Sequence, residues 1–276
     1  MALPDDPLAA RTLSQKAFDT VTTLFHNVSG IRLGANKHAL VASRLQRLAQ
    51  EAGEDDVDAY VERVARGHTP HDEMVRLIDR LTTNETCFFR EPQHFDHLAG
   101  RVAAAAGQRE FRVWSAASSS GEEAYSIAMV LAEGRGQQHW EVIGTDLSTA
   151  MVDTAQRALY PLERASRVPQ AQLRRWCLKG QGPQDGKLLV SRELRAHVRF
   201  LQANLMQPLP PELPMFDVIF LRNVLIYFEN DAKAHIVRNV ISRLKPDGVL
   251  YTGHAESLTA LGLPLRTAGT AIHAHA

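Results

Sequence analysis

The side chains in this sequence with the clearest chemical potential are polar residues that follow strand-like runs. They are Glu122, Glu123, Asp146, Asn204, Arg222 and Asn223. In an open sheet of parallel strands, ligands bind beyond the carboxyl ends of the strands, so these residues mark one candidate site. An acid after the second strand accepts hydrogen bonds from ribose hydroxyls, and Asp146 has that position. A dinucleotide enzyme would share this feature.

The turn after the first strand distinguishes between a pyrophosphate-containing ligand and a cationic ligand. A pyrophosphate-binding loop has the spacing GxGxxG, but residues 118–121 read Ser-Ser-Ser-Gly. Glu122 and Glu123 then stand where a helix N-terminus would meet an anion. They would repel a pyrophosphate and favour a cationic ligand such as S-adenosylmethionine. Alternatively, both acids only complement the helix dipole.

Strands that alternate with helices must bring these side chains together. The strand-like runs are residues 111–117, 141–147, 198–204 and 216–224. Ser148 is placed to cap the helix after the second run, and a helix is predicted at 231–245 with an apolar stripe. Alternating strands and helices pair in parallel through right-handed crossovers. This predicts a doubly wound α/β sheet.

The remaining segments suggest further domains. Residues 1–80 have apolar positions at helical spacing and predict a small helical domain, with turns at its glycines and at 67–70. The stripe residues are Leu40, Val41, Leu45 and Leu48. We expect a linker at 81–110 and the α/β domain at 111–276. The Gly/Pro-rich stretch at 161–197 predicts a β insertion in that domain.

Composition and charge limit the classes of binding partner and the cellular compartment that are consistent with the sequence. The chain has 276 residues with 31 basic and 31 acidic side chains and a pI of about 7.2, which argues against nucleic acid as a partner. Two cysteines without a CxxC pair predict neither a disulfide framework nor zinc, and favour a reducing cytoplasm. The scattered histidines predict no metal site. Neither a signal peptide nor a membrane-inserted segment is expected.

Four strings in this order resemble one family. They are TTNETCFFREPQHF (82–95), WSAASSSGEEAYSIAM (114–129), FDVIFLRNVLIYF (216–228) and LKPDGVLYTGHAESL (244–258). Together they closely resemble the CheR family of chemotaxis receptor methyltransferases. The resemblance covers nearly the whole chain. It implies a class I S-adenosylmethionine-dependent methyltransferase fold, which is a Rossmann-like doubly wound sheet, with a small all-helical N-terminal domain and a β insertion.

The resemblance also implies a reaction. The enzyme would transfer the methyl group of S-adenosylmethionine to specific glutamate side chains of methyl-accepting chemotaxis receptors. The products would be glutamate methyl esters, which serve sensory adaptation in this signal transduction pathway, and S-adenosylhomocysteine. A glutamate carboxylate is already anionic at neutral pH, so its attack needs no general base.

Site residues carry over by position from the resemblance. The implied cofactor contacts are Asn84, Thr86, Arg90, Glu123, Asp146, Asn204, Leu205, Arg222 and Asn223. Arg90 and Tyr227 are the implied catalytic residues, which would position the substrate carboxylate. Each assignment has a simpler alternative: Asn84 as a helix cap, Tyr227 as a core aromatic, Asp146 as a complement to its helix dipole.

Receptor recognition has its own candidates. Between Asp19 and Glu51 the chain has no acidic residue, but four basic ones. These are Arg32, Lys37, Arg44 and Arg47. We expect this basic patch to meet the acidic adaptation helices of receptors, with a solvated helix face as the alternative.

The β insertion resembles the part of some family members that docks a receptor's C-terminal peptide by strand addition. Gly180, Gly182 and Gly186 would let a sheet edge approach closely. Two positions raise open questions: Ala255 replaces the serine expected in GHSES, and Cys87 is either a small buried residue or an oxidation-sensitive thiol.

Rival functions remain at this stage. They are a non-catalytic S-adenosylmethionine-binding regulator, a methyltransferase of another signalling protein, and a nucleotide-dependent oxidoreductase. The missing glycines disfavour the last of these. A DNA or small-molecule methyltransferase is a further alternative, but the neutral charge and the lack of an N/D-P-P-Y string disfavour base methylation.

Overall fold

A computed structural model of the chain describes residues 13–67, 71–107, 110–136 and 138–276. Most of the predicted turn at 67–70 lies outside the described residues, as does the start of the chain. Two units separate between Thr82 and Thr83. Across the described ranges, no helix is both long and apolar enough to cross a bilayer.

The first unit is helical, as predicted. Its helices are α1 (Gln15–Ser29), α2 (His38–Glu51), α3 (Val57–Ala65) and α4 (His71–Leu81). Ser14 caps α1, because its Oγ accepts from the Ala17 N–H at 3.1 Å. Phe25, Leu45 and Leu77 are fully buried between the helices. Leu40 was wrongly placed in the apolar stripe: it is 37% exposed, because it lies one position outside the buried face of α2.

The second unit alternates helices with strands. Its helices are α5 (Gln93–Ala104), α6 (Glu122–Arg135), α7 (Thr149–Arg157), α8 (Gln170–Trp176), α9 (Arg192–Arg195) and α10 (Asn230–Ile241). Its strands are β1 (Glu110–Ser115), β2 (His139–Asp146), β3 (Leu159–Pro161), β4 (Cys177–Lys179), β5 (Lys187–Val190), β6 (Val198–Gln202), β7 (Phe216–Leu221), β8 (Leu244–Thr252), β9 (Leu265–Gly269) and β10 (Ile272–His275).

The central sheet has the order β6-β2-β1-β7-β8-β10-β9. The strands from β6 to β8 are parallel, which confirms the doubly wound prediction, and β10 runs antiparallel to both of its neighbours. The chain leaves β1 towards β2 on one side, and β7 lies on the other. Such a reversal of strand order opens a crevice at the carboxyl edge. The candidate residues lie along that edge.

Element boundaries differ from the prediction where the chain turns. β1 and β7 end at Ser115 and Leu221, before their predicted limits, where the chain turns out of the sheet. The predicted helix at 231–245 ends at Ile241, and β8 already begins at Leu244. The Ser148 cap is confirmed, since its Oγ accepts from Met151 N–H at 3.2 Å.

The β insertion is a separate antiparallel sheet of order β3-β5-β4. The three glycines proposed for close approach at its edge lie instead in the connection between β4 and β5. Gly182 and Gly186 have φ of 56° and 75°, values that favour glycine. A Cβ at Gly180 would overlap the Gln184 carbonyl oxygen. The conformation of the turn between β4 and β5 therefore explains why glycine occupies all three positions.

Helix α5 lies within the predicted linker and packs against α6. Its His94 ring is 1% exposed and stacks on Tyr251, with centroids 5.1 Å apart. Neither ring nitrogen has a hydrogen-bond partner of ordinary length and angle among the described residues. Burial, followed by the Arg222 charge, lowers the pKa of His94 to about 4, while Glu91 and the Thr270 backbone act in the opposite direction.

This burial predicts an acid-sensitive fold. The unfolded chain protonates His94 near its ordinary pKa of 6.5, whereas the folded protein resists until about pH 4. The free energy of unfolding should therefore fall as pH drops through this window, by on the order of 3 kcal/mol from this residue. Denaturant titrations from pH 4.5 to 7 should give a shallower dependence for His94→Phe than for the unsubstituted protein.

A matched control is His139→Gln, at an exposed histidine that begins β2. It should retain the full dependence. Equal slopes for His94→Phe and the unsubstituted protein would contradict the role of His94.

Candidate active site

Asp146 ends β2 and holds two loops together. Its Oδ2 accepts from the Ser119 N–H at 2.7 Å and its Oδ1 from the Ser148 N–H at 2.9 Å. Ser119 belongs to the turn after β1 and has a φ of 48°, in the left-handed region. Asp146 is 9% exposed, so the surrounding loops cover most of its surface. Its bond to the N-cap Ser148 means that Asp146 also supports the start of α7.

Glu122 and Glu123 have different surroundings although they are adjacent. The Glu122 side chain is fully buried and pairs with Arg164, which belongs to the β insertion, and with the Ser120 hydroxyl at 2.6 Å. Glu123 accepts from the Ser115 hydroxyl at 2.8 Å and from Arg222 at 3.0 Å. Burial raises the pKa of Glu123, and the Arg222 charge acts against that rise. Glu123, with its side chain 14% exposed, is the acid of this pair on the site.

Arg222 follows β7, and its side chain is completely buried. One terminal nitrogen donates to Glu123, and the other donates to the Arg90 carbonyl and to Glu91 at 3.0 Å. Burial acts to raise the pKa of Glu91, but the charge and hydrogen bond of Arg222 prevail, and that pKa lies below its ordinary value. Because the guanidinium is enclosed, a ligand would contact Arg222 only through its backbone. The side chain supports Glu123 and the segment around Arg90.

Asn223 has a φ of 58°, which is uncommon outside glycine. Its backbone N–H donates to the Glu256 carboxylate at 2.7 Å, and its amide reaches Glu91 at 3.4 Å. Gly253 lies directly against it, since a Cβ there would be 2.6 Å from the Asn223 Nδ2. The loop after β7 is thus fixed against the loop after β8.

Arg90 is half-buried and lies between two residues with left-handed backbone. Phe89 has a φ of 50° and Glu91 a φ of 55°. Such conformations persist only where the surroundings enforce them, and they concentrate at functional sites. The Phe89 N–H donates to Ser126 at 3.0 Å, which fixes this turn on α6.

The other linker candidates lie nearby along the same segment. The Asn84 carbonyl accepts from the Ser119 hydroxyl at 3.0 Å, so Asn84 adjoins the turn after β1. Thr86 and Asn84 are both half-buried.

The candidates after β6 and β7 differ in exposure. Asn204 is half-buried, and its Oδ1 accepts from Met206 N–H at 2.9 Å. Leu205 is 8% exposed and packs into the core beside β7, so its side chain is largely accounted for by packing. Tyr227 is half-buried, so it is not fully enclosed in the core.

Glu91, His94 and His254 converge, and one ligand atom from each lies within 4.8 Å of the others. The spacing of the histidines in the sequence predicts no metal site and does not connect these three residues. Arg222 already donates to Glu91 here. A metal ion bound by these three residues would therefore have to share the Glu91 carboxylate with the guanidinium of Arg222.

The basic patch of the first unit divides into two kinds of residue. Arg44 donates to the Leu81 and Thr82 carbonyls at 2.9 and 3.0 Å, so it caps the C-terminus of α4. Arg32, Lys37 and Arg47 are exposed, and Arg47 pairs with Glu51 at 3.1 Å.

The four strings of the sequence meet in one hydrogen-bonded network. Arg222 of the third string contacts Glu123 of the second and Arg90 and Glu91 of the first. Glu256 of the fourth string then accepts from the residue after Arg222. Glu91 and Glu256 were not predicted as site residues. Their presence within the strings was the available signal.

Comparisons with known proteins agree with this arrangement. Residues 84–271 match the family described as "CheR methyltransferase, SAM binding domain", and residues 16–82 match "CheR methyltransferase, all-alpha domain". The chemotaxis protein methyltransferase of Salmonella typhimurium is 36% identical over 264 residues, or 95% of this chain and 91% of that protein. Chemotaxis protein methyltransferase 2 of Pseudomonas aeruginosa is 34% identical over 95% of this chain and 94% of its own. With both family domains matched in order and S-adenosylmethionine as the cofactor, this chain belongs to the CheR methyltransferase family.

Proposed function

We propose that this enzyme transfers the methyl group of S-adenosylmethionine to glutamate side chains of chemotaxis receptors, with methyl esters as products. The observation that carries the proposal is the network in which Arg222 joins Glu123 to the backbone of Arg90. It gathers an acid suited to a cationic cofactor and an arginine suited to a carboxylate substrate. The named relatives act in chemotaxis, which supports receptors as the substrate class.

The residues present fit this cofactor. Glu123 and Asp146 offer carboxylates for a cationic amino acid group and for ribose hydroxyls, and Asn84 and Asn204 add amides. Ser118 Oγ, in the turn after β1, is buried and has no hydrogen-bond partner among the described residues. Such an orphan hydroxyl is what a ligand in this turn would satisfy. When bound, S-adenosylmethionine supplies an electrophilic methyl group on a sulfonium.

The protein's task is then alignment. The substrate carboxylate is already charged, so no side chain has to remove a proton. Arg90 can hold that carboxylate with its planar donors, and Tyr227 can add a hydroxyl. The left-handed residues on both sides of Arg90 fix the direction in which its side chain leaves the backbone. Orientation of this kind contributes several kcal/mol to a displacement reaction.

Arg90→Ala should reduce methyl transfer by about a hundredfold or more, because alignment of the carboxylate is lost. Arg90→Lys should be intermediate, since it keeps the charge but loses the fork. The assay incubates the protein with methyl-labelled cofactor and receptor and counts label that mild base releases as methanol.

The matched control is Arg238→Ala, at an exposed arginine of α10. It should transfer at the normal rate. Normal turnover of a folded Arg90→Ala variant would refute the role of Arg90, and base-stable label would refute a carboxyl ester as the product.

We further propose that the exposed basic residues of the first unit recognise the acidic helices of the receptor. Arg32, Lys37 and Arg47 support this role by their exposure. Arg44 fits it less well, because it caps α4.

The double variant Lys37→Glu/Arg47→Glu should raise the KM for receptor by about tenfold, a change of about 1.4 kcal/mol in binding. The cofactor Kd and the kcat should stay normal, and the effect should shrink at high salt. The control is Lys16→Glu, at an exposed lysine of α1. An unchanged KM for the double variant would remove the patch from recognition.

The insertion supports a finer proposal, in which a receptor's C-terminal peptide adds as a strand to the edge of β4. This strand pairs with β5 on one side, and its Leu178 is 58% exposed. An edge strand offers backbone groups for pairing, and an exposed leucine offers a side-chain contact.

Calorimetric titration with a synthetic receptor tail peptide tests this proposal. Leu178→Glu should weaken binding by about tenfold, whereas Leu162→Glu, elsewhere in the insertion, should leave it unchanged. Failure of the peptides of all candidate receptors to bind would refute strand addition at β4.

We also infer that the enzyme works in the cytoplasm. Cys87 and Cys177 are free thiols, which persist in reducing compartments.

A further inference from the structure

Glu256 is a buried acid whose charge is met by backbone. Glu256 is 7% exposed. Its Oε2 accepts from the N–H groups of Asn223 and Gly253, both at 2.7 Å, and its Oε1 accepts from Ile226 N–H at 3.3 Å. One carboxylate thus binds the loop after β7 at two points and the loop after β8 at a third. These N–H groups satisfy the acceptor oxygens of the buried carboxylate.

The chain segment that Glu256 holds carries much of the proposed site. Asn223 directly follows Arg222, and Ile226 directly precedes Tyr227. Asn223 is held in the left-handed region, with a φ of 58°. A residue other than glycine keeps this conformation only where its surroundings impose it. The bond from its N–H to Glu256 is one such constraint.

The fit around this carboxylate is close. A Cβ at Gly253 would lie 2.8 Å from Glu256 Oε2 and 3.0 Å from the Asn223 backbone nitrogen. Glycine is therefore required for the two loops to approach. The GHAES segment, which is part of the fourth family string, supplies both the glycine and the acid.

We propose that Glu256 is a positioning residue for cofactor binding and methyl transfer. It acts through Asn223 and Tyr227, which it aims at the crevice, and through Arg222, whose direction depends on the backbone of the next residue. The part of this inference that concerns methyl transfer rests on the proposed function. The part that concerns cofactor binding rests only on the family to which the chain belongs.

Glu256→Gln tests this role, because it preserves shape but replaces one acceptor oxygen with a donor. The Kd for S-adenosylmethionine, measured by calorimetry, should rise about tenfold, and kcat should fall by about ten- to a hundredfold as alignment is lost. Glu256→Asp, which retains the charge, should recover part of both.

The matched control is Asp217→Asn. Asp217 is 5% exposed and lies near the start of β7, where it accepts from Arg112 N–H and from Lys245. This variant should lose stability but keep its Kd and kcat. If Glu256→Gln changes Kd and kcat no more than Asp217→Asn at a comparable loss of stability, Glu256 is merely structural and the inference fails.

Two further measurements decide the role of Glu256 if the first variant does not fold or if no receptor is methylated. If Glu256→Gln does not fold, Gly253→Ala separates the same loops without altering charge, and normal Kd and kcat in that variant would overturn the inference. If the unsubstituted protein binds cofactor but methylates no receptor, the proposed function fails, while the cofactor Kd of the variants still decides the role of Glu256.

Discussion

The buried guanidinium of Arg222 is the interaction on which the rest of the site depends. A cation removed from water is tolerated only when opposite charges and acceptors surround it, and here two carboxylates and one carbonyl do so. Phe95 and Phe220 add their ring faces at 5.7 Å. Loss of this cation would leave the largely shielded carboxylates of Glu91 and Glu123 without their shared partner, so Arg222 fixes the segment around Arg90, the start of α6 and the end of β7 together.

The two acidic residues at the start of α6 therefore have different roles. Neighbouring residues on a helix point in different directions, so Glu122 reaches Arg164 while Glu123 reaches Arg222. The alternative in which both acids serve the helix dipole is too simple, because each has its own cationic partner. A loop without the glycines of a pyrophosphate site is consistent with this use of carboxylates.

The sequence predicted the features that follow local rules. Alternation of strands and helices gave the parallel sheet, and the position of Asp146 after the second strand placed it at the crevice. The pairing of Arg222 with Glu123 joins residues 99 positions apart, and no local pattern encodes it. Leu205, which the family resemblance implies as a cofactor contact, stays a prediction, and its burial in the cluster with β7 and α10 is a feature that the sequence does not reveal.

Helix capping explains another difference. Arg44 had the composition and spacing of a surface patch, yet it donates to the carbonyls at the end of α4, because those groups have no partner within their own helix. The antiparallel edge strand β9 was missed since it is short and largely exposed, and lacks the apolar run that marks an interior strand. Edge elements of this kind leave a weak signal in sequence.

The β insertion is joined to the main sheet at the turn after β1. Tyr160 donates to the Ser120 carbonyl at 2.7 Å, and Arg164 pairs with Glu122. Both contacts end within three residues of Glu123. A ligand that shifts the insertion therefore changes the free energy of the neighbouring pocket, and thermodynamic linkage requires the reverse effect to be equal. The insertion and the pocket are therefore energetically linked through the turn at residues 120–122, where Arg164 also donates to the Ser120 hydroxyl at 3.2 Å.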